Sequence, residues 1–131
     1  MAIITEEGGA RAAAVDLVMG VLDRGATVAD QLTAGALKRL SPSDRARAQR
    51  LATATLAHVA NADAILAPHL RKGPPPHIRA VLRAATVEML ELAGDPHGVV
   101  NAAVALTRAQ GRHSEGFAGL TNAVLRKVAA T

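Results

Sequence analysis

An all-α domain is what this sequence predicts, and three observations predict it. Ala, Leu and Arg dominate the chain, and no alternating run of β-branched residues reads as a strand. Apolar residues recur every three or four positions in one segment after another. Gly and Pro fall between those segments at intervals that suit short helix-to-helix turns. With 131 residues, half of them hydrophobic and 20% charged, the chain can build a single core.

The first helix is predicted from about Ala10 to Asp23, with Ala14, Val15, Val18, Val21 and Leu22 inward and Arg24-Gly25 as its stop. Thr27 can cap a second helix running through Leu40, with Val28, Leu32, Ala36 and Leu37 inward. Ser41-Pro42-Ser43-Asp44 starts a long helix, since it places Pro in the first turn and an acid at the positive end of the dipole. Its buried stripe is Ala48, Leu51, Ala52, Thr55, Leu56 and Val59. The pattern restarts near Asn61-Ala62-Asp63, and Gly73-Pro74-Pro75-Pro76 then breaks the chain with a rigid connector. Ile78, Val81, Leu82, Ala85, Met89 and Leu92 give the clearest periodicity, so this helix should lie centrally. Gly94-Asp95-Pro96 launches a helix that stops near Gly111, and the last begins near Ser114-Glu115 and buries Phe117, Leu120, Val124 and Val128. About seven helices result.

Residues 1–9 lack both a cationic start and a long apolar run, so they read as a mobile tail rather than a signal peptide; residues 10–131 form the domain. No apolar run reaches the roughly 20 residues that span a bilayer, and a cytoplasmic setting without membrane contact is expected. The chain has no Cys, which excludes disulfides, thiolate zinc sites and cysteine nucleophiles within it.

Catalytic constellations are missing as well. His58, His69, His77, His97 and His113 are dispersed, and none pairs with another at metal-ligand spacing. Glu88 and Glu91 lie three apart, as on a solvated helix face. Ser41, Ser43 and Ser114 stand at helix starts, where capping explains them. No glycine loop is built to cradle phosphate, and no cofactor or metal is expected in this chain.

Charge is more informative. Through Leu40, four cations face five acids; from Ser41 onward, eleven cations face six acids. The later part suits a polyanion such as RNA, whose phosphates release counterions on binding. A solvated basic surface with no partner explains the same charge. Phe117 is the only aromatic residue, so bases have no platform on which to stack, and contacts must come from cations and amides. The candidates are Arg11, Arg45, Arg47, Arg50, Arg79, Arg83, Arg112, Arg126 and Lys127. Arg45, Arg47 and Arg50 cluster at the start of the long helix but spread around it, whereas Arg79 and Arg83 share a face. Asn101 and Asn122, each set among aliphatic residues of a helix where an amide competes for backbone groups, point to specific contacts rather than generic solubility.

The order of segments resembles a known family. An Arg-Ala-Ala-Ala-Val opening helix, Asp44-Arg45-Ala46-Arg47-Ala48, Asp63-Ala64-Ile65-Leu66-Ala67-Pro68-His69-Leu70, Val100-Asn101-Ala102-Ala103-Val104 and Asn122-Ala123-Val124-Leu125-Arg126 together resemble the NusB-like RNA-binding domain. Within that group the chain looks most like the N-terminal domain of the RsmB (Sun/Fmu) family of small-subunit ribosomal RNA cytosine-C5 methyltransferases. The resemblance implies an all-α fold of two packed bundles that binds or orients ribosomal RNA without catalysis of its own. With the last two helices packed as it implies, Asn101 and Asn122 are expected to fasten them through hydrogen bonds to backbone. It also implies a catalytic domain in cis, outside this chain, that uses S-adenosylmethionine. Two alternatives stand beside that expectation. One is a stand-alone NusB-type antitermination factor that binds RNA with a small-subunit ribosomal protein; the other is a docking domain without RNA contact.

Overall fold

A computed structural model describes the backbone of residues 6–131 and the side chains of residues 9–131. The expected tail falls largely outside that range: residues 1–5 are not described, and residues 6–9 already belong to the first helix. Eight α-helices follow in order, α1 Glu6–Leu22, α2 Val28–Thr33, α3 Pro42–Ala57, α4 Val59–Leu66, α5 Pro76–Leu90, α6 Pro96–Ala109, α7 Arg112–Glu115 and α8 Ala118–Ala129, with a 3-10 turn at Ala67–His69. Among the described residues there is no strand, and no helix is long and apolar enough to cross a membrane.

Helix α5 is the axle of the fold. It packs against α1, α3, α4, α6 and α8, and Ile78, Ala80, Val81, Leu82, Ala84, Ala85, Thr86, Val87 and Met89 are all buried. A helix apolar on nearly every side can only be stable at the centre of a bundle. On one side, α1 lies along α3. Ala10 and Ala14 face that contact from α1, and Ala48 and Ala52 from α3, each pair four residues apart and buried. Small side chains at that spacing let two helix axes approach closely. On the other side, α6 lies along α8, with Val99, Val100, Ala103, Val124, Leu125 and Val128 between them and α5. These are the two packed bundles. Each fully buried Leu or Ile, such as Leu17, Ile78, Leu82 and Leu125, contributes on the order of 1.5–3 kcal/mol.

Several boundaries differ from expectation. The second helix ends at Thr33 rather than Leu40, because Gly35 takes φ +93° and the chain leaves the helical region there. Leu37 is still buried, delivered by a turn. Leu22 lies 40% exposed instead of inward, while Leu17 takes its place in the core. The closing helix is split into α7 and α8 by a turn at Gly116-Phe117, and Phe117 packs against the core as expected.

Helices α1 and α5 end in the same way. In α1, Arg24 N–H donates to Met19 O (3.2 Å) and Ala26 N–H to Gly20 O (2.8 Å), around Gly25 at φ +71°. In α5, Leu92 N–H donates to Val87 O (3.3 Å) and Gly94 N–H to Glu88 O (2.9 Å), around Ala93 at φ +56°. The wide clamp satisfies carbonyls that a helix end leaves open. In α5 it is made with a left-handed alanine, and it fixes Glu88 at the edge of the next feature.

Candidate nucleic-acid interface

Helix α3 is held in place before it presents any charge. Ser41 Oγ accepts from Asp44 N–H (3.2 Å), Pro42 occupies the first turn, and the buried carboxylate of Asp44 lies 3.6 Å from Arg47. Ala48, Leu51, Ala52 and Thr55 are turned inward. The outward arginines then sort by angle. Arg47 and Arg50 are three residues apart and lie about 60° from each other on one flank. Arg45 lies on the opposite flank, where its Nε donates to Leu40 O (2.8 Å) and ties the helix to the preceding turn. The three arginines therefore do not act as one cluster.

Arg47 and Arg50 line a cleft of about 180 Å³ with Leu51 from α3, Ala10 and Arg11 from α1, and Glu88, Leu92 and Gly94 at the end of α5. Across it, Arg11 Nε donates to Glu88 Oε1 (2.9 Å) and its terminal nitrogen to Oε2 (2.7 Å). The pair is only 18% and 16% exposed. Two-point geometry of this kind fixes both partners and joins α1 to α5. Gly94 makes the approach possible, since a Cβ there would stand 3.0 Å from Glu88 Cγ and 3.1 Å from its carbonyl oxygen. Arg11 thus contributes structure to the cleft. Arg47 and Arg50, both exposed, carry its outward positive charge, Arg47 beside the Asp44 carboxylate at 3.6 Å and Arg50 without an ion-pair partner among the described residues.

The remaining candidates are scattered. Arg83 is locked to Asp63 by Nε to Oδ1 (2.7 Å) and a second bond of 2.9 Å, which clamps α4 to α5. That hydrogen-bonded guanidinium holds the Asp63 carboxyl below its ordinary 3.8, against the opposing effect of burial, with a smaller push from Arg79. Arg79 is half-buried at the start of α5. Arg112 is exposed on α7, and Lys127 on α8. Arg126 Nε donates to Asn122 Oδ1 (3.0 Å) on its own helix.

The two asparagines do not fasten the last helices together. Asn101 is exposed and its side-chain amide makes no hydrogen bond among the described residues, and Asn122 spends its oxygen on Arg126. The buried polar contact between α6 and α8 is made instead by Thr107 and Thr121, whose hydroxyls lie 3.2 Å apart. Glu88 and Asp63, the partners that take Arg11 and Arg83 out of play, were also missed from sequence. Two acids that pair across 77 and 20 residues leave no local signal.

Chemically, the cleft can hold a phosphate between guanidinium groups beside the apolar walls of Leu51 and Leu92. Among the described residues, no group of three His, Cys, Asp or Glu side chains could hold a metal ion. His77 sits at the start of α5 with its Nδ1 buried and unpartnered, and burial pushes its imidazole below the ordinary 6.5 while Asp16 opposes the shift.

The fold is shared with solved proteins. The chain superposes on a protein in a crystal structure of the antitermination factors NusB and NusE in complex with dsRNA, with a TM-score of 0.80, 23% identity and 98% of each chain covered. It superposes on T. maritima NusB with a TM-score of 0.81 and 19% identity, covering 98% of this chain and 93% of that one. A protein in a crystal structure of a plectonemic RNA supercoil gives 0.77 and 22% identity, over 94% and 93%. A search of curated protein sequences returned no match. The sequence itself matches the NusB family over residues 9–130, nearly the whole domain built from the eight helices and the cleft between α1, α3 and α5: the chain belongs to the NusB family.

Proposed function

We propose that this chain is a non-catalytic RNA-binding domain of the stand-alone NusB type, working in antitermination beside a ribosomal protein partner. The observation that carries the RNA reading is the α1/α3/α5 cleft, where Arg47 and Arg50 stand exposed over an Arg11–Glu88 pair already neutralised. Phosphates are the ligand such a surface serves, because two guanidinium groups on one flank can each make paired N–H···O contacts and displace counterions. The NusB solved with NusE and dsRNA, matched over 98% of both chains, supports the antitermination reading.

The second reading keeps the same surface and attaches it to a catalytic domain of an S-adenosylmethionine-dependent ribosomal RNA methyltransferase. Its support is the sequence echo in Asp63-Ala64-Ile65-Leu66-Ala67-Pro68-His69-Leu70 and Asn122-Ala123-Val124-Leu125-Arg126. The matched solved structures are NusB proteins or accompany RNA, and they favour the first reading. Fluorescence anisotropy against a small-subunit ribosomal RNA fragment, with and without a NusE-type ribosomal protein, tests the choice. Tighter RNA binding with the protein present supports antitermination, and RNA binding indifferent to it supports the methyltransferase setting. Loss of affinity in Arg47→Gln/Arg50→Gln with a salt slope lowered by about 1.4 is expected for two lost single-strand contacts. An unchanged slope would refute the cleft as the contact.

A further inference from the structure

We propose that the outer face of α4 and the end of α5 pairs two copies of this chain about a two-fold axis, leaving the α1/α3/α5 cleft of each copy open. The pairing is independent of the RNA reading. From Leu51 to Leu70 the sequence carries no Lys or Arg and a single acid, Asp63, whose two oxygens are both taken by Arg83. The exposed residues of α4 are accordingly uncharged: Ala60, Asn61 and Ala64. A helix face in water ordinarily carries charge, as α3 does with Arg45, Arg47 and Arg50, and a face without it is suited to being covered. Ala60 and Ala64 stand one turn apart, and their small side chains let a second helix approach closely.

Beside this face, α4 and α5 form a narrow groove walled by Ala62, Ile65, Val87 and Leu90, with His58, Asn61 and Glu91 at its rim. Leu90 is 43% exposed, one of the two large hydrophobic side chains left in solvent. Thr86, 1% exposed, also lines the groove, and its hydroxyl has no hydrogen-bond partner among the described residues. A buried hydroxyl without a bond costs stability, and a polar group arriving from outside offsets that cost. The groove has no room for water in the single chain, and Leu90, its exposed wall, can turn outward to open it.

The rim selects the occupant. One acid, Glu91, and one imidazole, His58, stand 3.9 Å apart there. RNA phosphates find no Lys or Arg among the lining residues, and a basic protein finds a single carboxylate. A second copy meets both groups at once, since a two-fold axis sets Glu91 of each chain against His58 of the other, and Leu90 of each against the other's groove. Asn61, exposed and without a side-chain hydrogen bond among the described residues, brings the amide that Thr86 of the other copy lacks. Glu88, which lines the cleft, and Leu90 lie about 200° apart around α5, so the pairing leaves the cleft uncovered. A face limited to α4 and the end of α5 belongs to the small, transient class of interfaces.

Sedimentation velocity of the whole chain, from micromolar to millimolar concentration, tests the pairing. The sedimentation coefficient of the wild type should rise with concentration toward that of a dimer, while Leu90→Glu, at an exposed position, should stay monomeric. Thr86→Val and Asn61→Ala should each raise the dissociation constant about thirty-fold, because the two-fold axis removes two neutral hydrogen bonds at once. Neither should lower the urea midpoint of the dilute chain. A wild type that stays monomeric throughout overturns the pairing, and so does wild-type association in Leu90→Glu. If the monomeric wild type binds a NusE-type ribosomal protein that Leu90→Glu does not bind, the face belongs to that protein and the pairing is likewise overturned.

Discussion

Thr107 and Thr121 place their hydroxyls 3.2 Å apart in a fully buried position between α6 and α8. Thr107 already donates to Ala103 O at 2.9 Å, so the shared proton comes from Thr121. Thr107→Val would strand that buried donor and should cost about 1–3 kcal/mol, whereas Thr121→Val removes one bond and should cost about 1. Asn101→Ala and Asn122→Ala, at exposed or half-exposed positions, should stay within about 0.5 kcal/mol. Urea denaturation ranks them; asparagine variants costlier than the threonine ones would return the fastening role to the amides.

Thr86 provides the contrasting case. Its hydroxyl is buried with no hydrogen-bond partner among the described residues, although Thr55 and Thr107 each donate to a carbonyl one turn back. Thr86→Val should therefore be neutral or stabilising by up to about 1 kcal/mol, since no bond is lost and a desolvated polar atom is removed. A loss of more than that in the urea midpoint would show that the hydroxyl has a partner, such as an internal water.

Arg11 separates structure from binding. Its two-point pair with Glu88 is mostly buried, so Arg11→Ala should lower stability by about 2 kcal/mol through the unpaired carboxylate it leaves. Arg11→Lys should recover only part of the loss, because an ammonium cannot make the paired contact. Glu88→Gln with Arg11 intact should also destabilise. Thermal melts in parallel with RNA affinity distinguish the roles: an Arg11 variant that keeps its melting point and loses RNA affinity would make Arg11 a contact.

Acid should loosen the start of α5. His77 holds its proton more weakly in the folded chain than in the unfolded one, mainly because burial disfavours the cation. The unfolded state then binds more protons once the pH falls below the ordinary 6.5, so the stability present above that value is lost as pH drops through the lower folded value. Asp63 works in the same direction at lower pH, its contribution being full above 3.8 and lost below as Arg83's partner is neutralised. Urea midpoints for His77→Gln should be flatter than wild type between about pH 5 and 7. Parallel curves would remove His77 from the account.

The sequence made the helices legible where packing and local chemistry agree. Ile78 to Met89 reads as a central helix because its apolar residues step by three or four throughout, and Ser41-Pro42-Ser43-Asp44 reads as a start because the cap is local. Gly35 was less legible, since one left-handed glycine decides whether a helix continues to Leu40. For the site, composition pointed to arginines but not to which are available. Arg11 and Arg83 are consumed by acids far away in the chain, a pairing that only the folded chain displays.

The central claim, that RNA lies on the Arg47/Arg50 cleft while the Arg11–Glu88 pair holds the cleft together, is tested most directly by NMR. Titrating the 15N-labelled chain with a small-subunit ribosomal RNA fragment should shift the backbone amides of Arg47, Arg50, Leu51 and Gly94, with the Arg11 and Glu88 side-chain pairing kept throughout. Saturating RNA that leaves those amides unmoved while shifting others, or that breaks the Arg11–Glu88 pair, would contradict it.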